Sequence, residues 1–292
     1  MLRLKHIFNF TRPLILLLAG MTYTLGTGIA RYLGRADNPL TFSLGFGWVI
    51  LVVMAMNLLA VYFRPHNEFL VVGETIPERN WLRAAAFQLS IAALGVAAVL
   101  TVFLLQQGIS PSTTFFATLI LLAALAYALP PLRLVTSGFG ELALAILVAA
   151  LVPAFAFTLQ VGELHRLLAA VAFPLTALTL AALLIFTFPA FAEDRRYERR
   201  TLLTLMGWQR AVPLHHILIF SAYLLFAAMP QFGIPWAAIA PVFLIMPFAL
   251  FQVFWLQRIS QGAPPNWKFV NILAITVLGL TTYLLTITFW IR

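Results

Sequence analysis

The scarcity of charged side chains constrains this chain more than any other feature of its sequence. Only 9% of its 292 residues are Asp, Glu, Lys or Arg, while 62% are hydrophobic. A soluble domain carries about 25% charged residues, so this chain has too few charges to cover a surface that faces water. The sequence therefore predicts a protein whose main solvent is lipid. At roughly 20 apolar residues per spanning helix, its hydrophobic content is enough for about nine spans.

Long apolar runs recur along the whole chain. They cover residues 13–33, 40–63, 83–105, 114–129, 141–160, 167–191, 212–229, 235–256 and 269–291. Strands of a membrane barrel would be about ten residues long and would alternate polar with apolar side chains, whereas these runs are apolar on every face. The first run is longer than the apolar core of a signal peptide and is followed by RYLGRAD, so we expect it to remain as the first helix. We predict an all-α integral membrane protein with nine transmembrane helices in one domain, residues 1–292.

Basic residues are divided unequally between the two ends of the predicted bundle. Fourteen of the 18 Lys and Arg residues fall at the end that holds the N-terminus. These are Arg3, Lys5, Arg12, Arg64, Arg79, Arg83, Arg133, Arg195, Arg196, Arg199, Arg200, Arg210, Arg258 and Lys268. We call this the basic end; Asp37 and Arg292 fall at the opposite end. By the positive-inside rule the basic end is cytoplasmic, so the N-terminus is inside and the C-terminus outside.

This arrangement accounts for the net charge of +9 without nucleic acid as a partner, because no basic soluble domain is present. We expect a multi-pass protein of the cytoplasmic membrane of a prokaryote. Two connections at the basic end, residues 64–83 and 193–210, are long and polar. Binding and catalytic residues are concentrated in such loops, so we expect the functional site there.

Several motifs resemble the UbiA superfamily of intramembrane prenyltransferases, in its menaquinone and ubiquinone biosynthesis branch. The stretch YALPPLRLVTSGFGE, residues 127–141, is similar to the connection between helices four and five of that family. FPAFAEDRRYERRTLLTLMGWQRA, from Phe188, resembles its second aspartate motif and the segments that follow it. Arg12-Pro13 and Asn57 also lie where the family has comparable residues. The resemblance implies a nine-helix fold with its motif connections on the cytoplasmic side.

The same resemblance implies transfer of a prenyl group from its diphosphate to an aromatic acceptor. Aspartates at the cytoplasmic ends of helices two and six hold Mg²⁺ against the diphosphate in the family. The first family motif, Asn-Asp-Tyr-Phe-Asp, aligns here with residues 60–64, AVYFR, so its aspartates become Val61 and Arg64. The second, Asp-x-x-x-Asp, aligns with Ala190 and Asp194. Because the chain has only two aspartates, we expect no catalytic residue and no metal ligand of the family type.

Glutamates offer an alternative metal site. If helix two continued past Pro65, Glu68 would share a face with Asn57, and on helix six Glu198 would share a face with Asp194. In this alternative, Asp194, Glu198 and Glu68 bind Mg²⁺ and serve catalysis. The charge of the two long connections argues against it, because residues 64–83 are neutral overall and residues 193–210 carry a net charge of +2. Arg64 would also project a guanidinium where a metal should bind.

A neutral-to-positive pocket suits direct capture of an anionic headgroup or diphosphate, since guanidinium pairs with phosphate bidentately. The residues that we expect to bind it are Arg64, Arg133, Tyr127 and one of Arg195 or Arg196. Asn57 and Tyr62 are the expected polar residues of the pocket. Two plainer interpretations stay open. The arginines at 195–200 could only set topology and touch lipid phosphates, and Asn57 could only link two helices by a hydrogen bond.

We therefore expect a UbiA-like membrane protein that has lost magnesium-dependent prenyl transfer. It would bind an isoprenoid, quinone, pigment or other lipid as an accessory subunit of a membrane complex. The expected partners are a membrane lipid or isoprenoid ligand and other membrane subunits, with no nucleic acid. No cofactor is expected, and Mg²⁺ enters only under the alternative. That alternative is an active enzyme that moves a polyprenyl group from its diphosphate to an aromatic acceptor.

Overall fold

The computed structural model describes residues 2–35, 38–66 and 68–291. Within these residues, nine helices are long and apolar enough to cross a membrane. In chain order, spans one to nine are Pro13–Tyr32, Pro39–Tyr62, Ile76–Gln106, Pro111–Ala128, Gly140–Val161, Arg166–Arg196, Trp208–Phe232, Trp236–Ser260 and Trp267–Ile291. Each corresponds to one predicted run, so the all-α, nine-helix prediction is confirmed. Asp37 and Arg292 lie outside the described residues.

Shorter helical elements complete the chain. Helix Leu2–Phe10 precedes span one, and helix Leu202–Met206 lies between spans six and seven. Span five contains a π-helical segment, Leu147–Leu151. Span six passes through a 3₁₀ turn, Phe188–Ala190, before its last helical segment, Phe191–Arg196.

Three spans begin with both a side-chain cap and a proline. The side chains of Asn38, Thr75 and Ser110 each accept a hydrogen bond from a backbone amide two or three residues further on. A proline lies in the first turn of each of these helices, where no backbone donor is needed. Span three therefore begins at Ile76, seven residues before the predicted start at 83, because its cap lies in a polar segment that hydropathy does not detect.

Spans one, two, five and six form the centre of the bundle, with 67–72% of their apolar windows buried inside the protein. Spans three, four, seven, eight and nine are less buried, at 22–44%, and surround them. Spans one and five approach each other closely. A Cβ atom on Gly26 would lie 2.8 Å from the Cα of Pro153 and closer still to its carbonyl oxygen. Glycine at this position lets two backbones pack directly together, as small residues do between membrane helices.

Two adjacent histidines form a polar contact between spans seven and eight. His215 is fully buried, and its two ring nitrogens lie 3.1 Å from Nε2 of Gln252 and 3.2 Å from Nδ1 of His216. His216 in turn lies 3.2 Å from Oε1 of Gln257. Polar side chains within a bilayer need such partners, so this group links the two helices.

Candidate functional site

A cavity of about 460 Å³ lies at the basic end, between the ends of the central spans. Its volume falls within the range of about 300–1,000 Å³ that is usual for small-molecule sites. Apolar side chains of spans one, five and six, such as Leu14, Leu144 and Phe186, form part of its wall. The charged residues that line it are Arg12, Arg64, Glu68, Arg133, Glu141, Asp194 and Arg199. Four arginines face three carboxylates, so the lining carries one net positive charge.

Two of these carboxylates are bound to one arginine. Arg199 donates from Nε to Oε2 of Glu68 at 2.8 Å, and its Nη2 lies 2.7 Å from the same oxygen. Its Nη1 donates to Oδ1 of Asp194 at 3.3 Å. The side chains of Glu68 and Asp194 are only 3% and 6% exposed. A single guanidinium therefore joins the connection after span two to the end of span six.

These ion pairs bear on whether the two carboxylates could coordinate Mg²⁺. Magnesium needs carboxylate oxygens that are free to coordinate it, whereas here both candidate carboxylates already bond to a cation. A second guanidinium is also near, since Nε of Arg64 lies 3.8 Å from Oε2 of Glu68. Within the part of the chain that the structure describes, no group of three or more His, Cys, Asp or Glu side chains could hold a metal ion. The donors as arranged do not fit a magnesium cage.

The third carboxylate has a structural partner. Oε2 of Glu141 accepts a hydrogen bond from the backbone amide of Leu202 at 3.2 Å. Leu202 begins the short helix between spans six and seven, so Glu141 ties the start of span five to this connection. The side chain of Thr204 reinforces it by donating to the carbonyl oxygen of Arg199 at 3.0 Å.

The remaining three arginines differ in their partners. Arg12 precedes span one, and its Nη1 donates to the hydroxyl of Tyr127 at 2.9 Å. Arg64 keeps 25% of its side chain exposed. Nε of Arg133 is buried and has no hydrogen-bond partner in the structure. A buried guanidinium N–H without a partner carries a desolvation cost that an anionic ligand would remove.

Positive backbone φ angles occur around the cavity. Arg12 has φ 52°, Arg133 has φ 36°, and Glu198, next to Arg199, has φ 54°. These are left-handed conformations that residues other than glycine rarely adopt. The turns at Arg12 and Arg133 lie where the side chains of these two residues face the cavity. The turn at Glu198 comes directly before Arg199, which bridges Glu68 and Asp194.

The pKa values of three cavity arginines shift in different directions. Burial, together with the charges of Arg199 and Arg12, lowers the pKa of Arg64 to about 10, although Glu68 opposes this change. Burial likewise lowers the pKa of Arg133, although Glu68 opposes this change. For Arg199, burial acts to lower the pKa, but the hydrogen bond and charge of Glu68, with the charge of Asp194, raise it overall. Arg199 is therefore satisfied within the protein, whereas Arg64 and Arg133 lack a full counter-charge.

The structure brings five of the ten predicted site residues to the cavity, namely Arg64, Glu68, Tyr127, Arg133 and Asp194. Arg195, Arg196 and Glu198 are exposed and do not line it. The guanidiniums of Arg195 and Arg196 lie instead over the rings of Phe191 and Tyr197. The side chain of Tyr62 packs against Phe63 and Phe87 rather than against the cavity.

Both helical extensions assumed for the glutamate alternative are wrong. Span two ends at Tyr62, so Glu68 reaches the cavity from the connection and not from a helical face. Span six ends at Arg196, and the left-handed residue Glu198 then turns the chain. This turn points Glu198 away and brings Arg199 to Asp194.

Asn57 is buried in span two but does not line the cavity. Its Nδ2 donates to the carbonyl oxygen of Thr11 at 2.9 Å, which fastens the segment before Arg12 to span two. This contact fits the interpretation of Asn57 as a link between elements.

We expect Asn57→Ala to destabilise the protein by about 1–2 kcal/mol, because it leaves the carbonyl oxygen of Thr11 without this partner. Thermal unfolding in detergent would measure the loss. The affinity for an anionic lipid should change little, and a large loss of affinity without a change in stability would instead assign Asn57 to the binding site.

Sequence reasoning missed Arg12, Glu141 and Arg199 as lining residues. Arg12 carried a usable signal, since it immediately precedes Pro13 at the basic end of span one. Arg199 lies among four arginines within six residues, 195–200, and only the turn at Glu198 decides which of them faces inward.

Comparisons with known proteins add sequence and fold similarities. No family model matches the chain. It is 26% identical over 252 residues to the 1,4-dihydroxy-2-naphthoate octaprenyltransferase of Bacillus subtilis (strain 168), which covers 82% of this chain and 78% of that protein. Its fold is similar to that of digeranylgeranylglyceryl phosphate synthase, with a TM-score of 0.64 and 13% identity over 100% of both chains. The structure of a UbiA homologue from Archaeoglobus fulgidus bound to GPP and Mg²⁺ gives a TM-score of 0.60 and 16% identity, over 96% of this chain and 99% of that one. At these identities the structural similarities establish the fold.

Proposed function

We propose that this chain, which is similar in sequence and in fold to membrane proteins of the UbiA superfamily, binds an isoprenoid or other lipid with an anionic headgroup. We further propose that it has lost magnesium-dependent prenyl transfer. One observation carries the proposal. Arg199 forms hydrogen bonds with both Glu68 and Asp194, so Arg12, Arg64 and Arg133 are the cavity arginines left to bind an anion.

The chemistry of the lining suits such a ligand. A phosphate or diphosphate accepts paired hydrogen bonds from guanidinium groups without a bridging metal. The buried Nε of Arg133, which lacks a partner, offers one such donor. Apolar side chains such as Ile15, Leu144 and Leu183 line the same cavity and would contact the lipid tail. Prenyl diphosphates are a reasonable ligand class, since the A. fulgidus homologue binds GPP.

An active prenyltransferase is the second candidate, and the similarity to an octaprenyltransferase favours it. It would move a polyprenyl group from its diphosphate to an aromatic acceptor. For that activity Glu68 and Asp194 would have to leave Arg199 and bind Mg²⁺, and Glu198 would have to turn back towards them. Breaking a buried ion pair in this way costs about 3–5 kcal/mol, which the substrate complex would have to offset.

A binding and turnover assay separates these two functions. We expect purified protein to bind geranyl diphosphate saturably in EDTA, with the same affinity after Mg²⁺ is added, because the guanidiniums supply the positive charge. With 1,4-dihydroxy-2-naphthoate as acceptor and Mg²⁺ present, we expect no prenylated product. Product that requires Mg²⁺ and disappears in Asp194→Ala would establish the enzymatic function instead. Absence of saturable binding both with and without Mg²⁺ would refute the anionic-lipid function.

The accessory role beside other membrane subunits is a separate prediction. Many large apolar side chains are exposed on the outer spans, for example Leu224, Phe254 and Ile272. Such side chains suit contact with lipid as well as with another membrane protein. The proposal of lipid binding therefore does not depend on a partner subunit.

A further inference from the structure

The short helix Leu2–Phe10, before span one, carries two large apolar side chains that are mostly exposed. Leu4 is 73% exposed and Phe8 is 63% exposed. The two residues are four positions apart in the sequence, so they share one face of the helix. A helix with an apolar face requires an apolar environment on that side.

A second face of this helix is packed against the protein. The side chains of Ile7 and Phe10 pack against an apolar cluster at the basic ends of spans two and three and in the connection between them. The guanidinium of Arg3 lies 5.1 Å from the ring centre of Trp81, near the start of span three. The cluster consists of Leu58, Val61, Leu70, Leu82 and Ala86. The helix is therefore fixed on the surface of the bundle while Leu4 and Phe8 stay outside this contact.

A third face of the helix is polar. Lys5 and Asn9 are again four positions apart, and both are exposed. The helix contains the basic residues Arg3 and Lys5 and no acidic residue, and the first acidic residue of the chain is Asp37. Anionic headgroups would attract this segment. Basic residues on one face and Leu or Phe on another are typical of helices that lie in the membrane interface.

The position of the helix along the bundle matches the depth of that interface. Leu58 and Val61, in the cluster beneath the helix, belong to the last two turns of span two, which ends at Tyr62. Span three has 31 residues, so at about 1.5 Å per residue it is longer than the hydrocarbon core of about 30 Å. Further along span three, Leu89 and Ile91 are exposed on its outer surface. The exposed face of the short helix thus continues an apolar surface that span three already presents to lipid.

We propose that Leu4 and Phe8 insert into the lipid leaflet at the basic end, so that the helix Leu2–Phe10 is an interfacial anchor. Lipid acyl chains cover its apolar face, while Lys5 and Asn9 remain among the headgroups and in water. The occupant of this face is the lipid bilayer itself rather than another protein.

The anchor is joined directly to the cavity. It is followed by Thr11, whose carbonyl oxygen accepts the hydrogen bond from Asn57, and then by Arg12, which lines the cavity. The anchor would therefore hold Arg12 at the depth of the lipid headgroups. The inference itself does not depend on what the cavity binds, and its test involves no cavity ligand.

The absence of cysteine from the chain allows a direct test. We would introduce Leu4→Cys, Phe8→Cys, Lys5→Cys or Asn9→Cys into the whole protein, attach a nitroxide spin label and reconstitute each variant in vesicles of phosphatidylcholine and phosphatidylglycerol. Power-saturation electron paramagnetic resonance then compares collisions with oxygen, which is concentrated in lipid, and with nickel ethylenediaminediacetate, which stays in water. We expect the oxygen-to-nickel ratio at positions 4 and 8 to exceed that at positions 5 and 9 by about fivefold or more, because the apolar face of such a helix is buried about 5–10 Å deep.

Positions 5 and 9 are matched controls, since they carry the same label one residue away on the polar face. Leu224→Cys, at a 72% exposed position in span seven, is the reference for contact with lipid. Equal ratios at all four helix positions would place the helix in water and overturn the inference. Labels at positions 4 and 8 that neither reagent reaches would also overturn it, because a second copy or another protein would then cover the face. Each labelled variant must elute as the wild type does in size-exclusion chromatography, and either pair of positions decides the outcome alone.

Discussion

Replacing Gly26 by alanine is expected to lower the melting temperature by about 5 °C or more. The added methyl group would collide with the backbone of Pro153, so spans one and five would have to move apart. Overpacking a core costs about 1–3 kcal/mol and sometimes more, and a buried backbone yields less than a flexible side chain. In a protein of this size about 3 kcal/mol corresponds to roughly that change in melting temperature. Thermal unfolding followed by fluorescence-detected size-exclusion chromatography would measure it.

Gly95→Ala in span three is the matched control. A Cβ atom at Gly95 meets no other heavy atom within 4 Å. Alanine favours the helix over glycine by up to about 1 kcal/mol, so this variant should melt at the wild-type temperature or above it. Equal melting temperatures for the two variants would show that spans one and five separate without cost.

Arg133→Ala is expected to weaken the binding of geranyl diphosphate by about 30-fold or more. Truncating one partner of a buried, hydrogen-bonded charge pair costs about 2–5 kcal/mol, and Nε of Arg133 is a buried donor with no partner in the protein. Alanine retains Cβ, so the left-handed backbone at this position is strained equally in both proteins. Titration of the purified proteins with geranyl diphosphate in EDTA would measure the change.

Arg195→Ala removes the same charge outside the cavity, from a side chain that lies over Phe191. We expect its affinity to stay within about twofold of the wild-type value, because an exposed charge is screened by solvent and salt. If Arg133→Ala bound as tightly as Arg195→Ala, the cavity would not be the headgroup site.

The sequence predicts the fold well because each span is an apolar segment of sufficient length, and the bilayer leaves such segments few alternatives to a helix. The predicted spans differ from the observed ones at their ends. The start of span three at Ile76 depends on the cap at Thr75, and the end of span six depends on the turn at Glu198. Hydropathy detects neither feature, because both involve polar residues.

The candidate site is predicted only in part for the same reason. Arg64 and Arg133 were expected on chemical grounds, and both line the cavity. Arg199 was not expected, because helical spacing gives no information beyond the last residue of span six. Local backbone conformation at one residue decides that Arg199, rather than Arg195 or Arg196, meets Asp194.

The left-handed backbone conformations at and near the cavity affect how a ligand would bind. A residue other than glycine in this conformation is disfavoured by about 1–2 kcal/mol, so the surrounding packing must hold Arg12, Arg133 and Glu198 in place whether or not a ligand is bound. The arginine main chains are thus preorganised, and an incoming headgroup does not have to order a disordered segment. If the cavity binds the headgroup that we propose, association would cost the protein little conformational entropy, and the lifetime of the complex would depend on the contacts themselves rather than on a slow rearrangement of the chain.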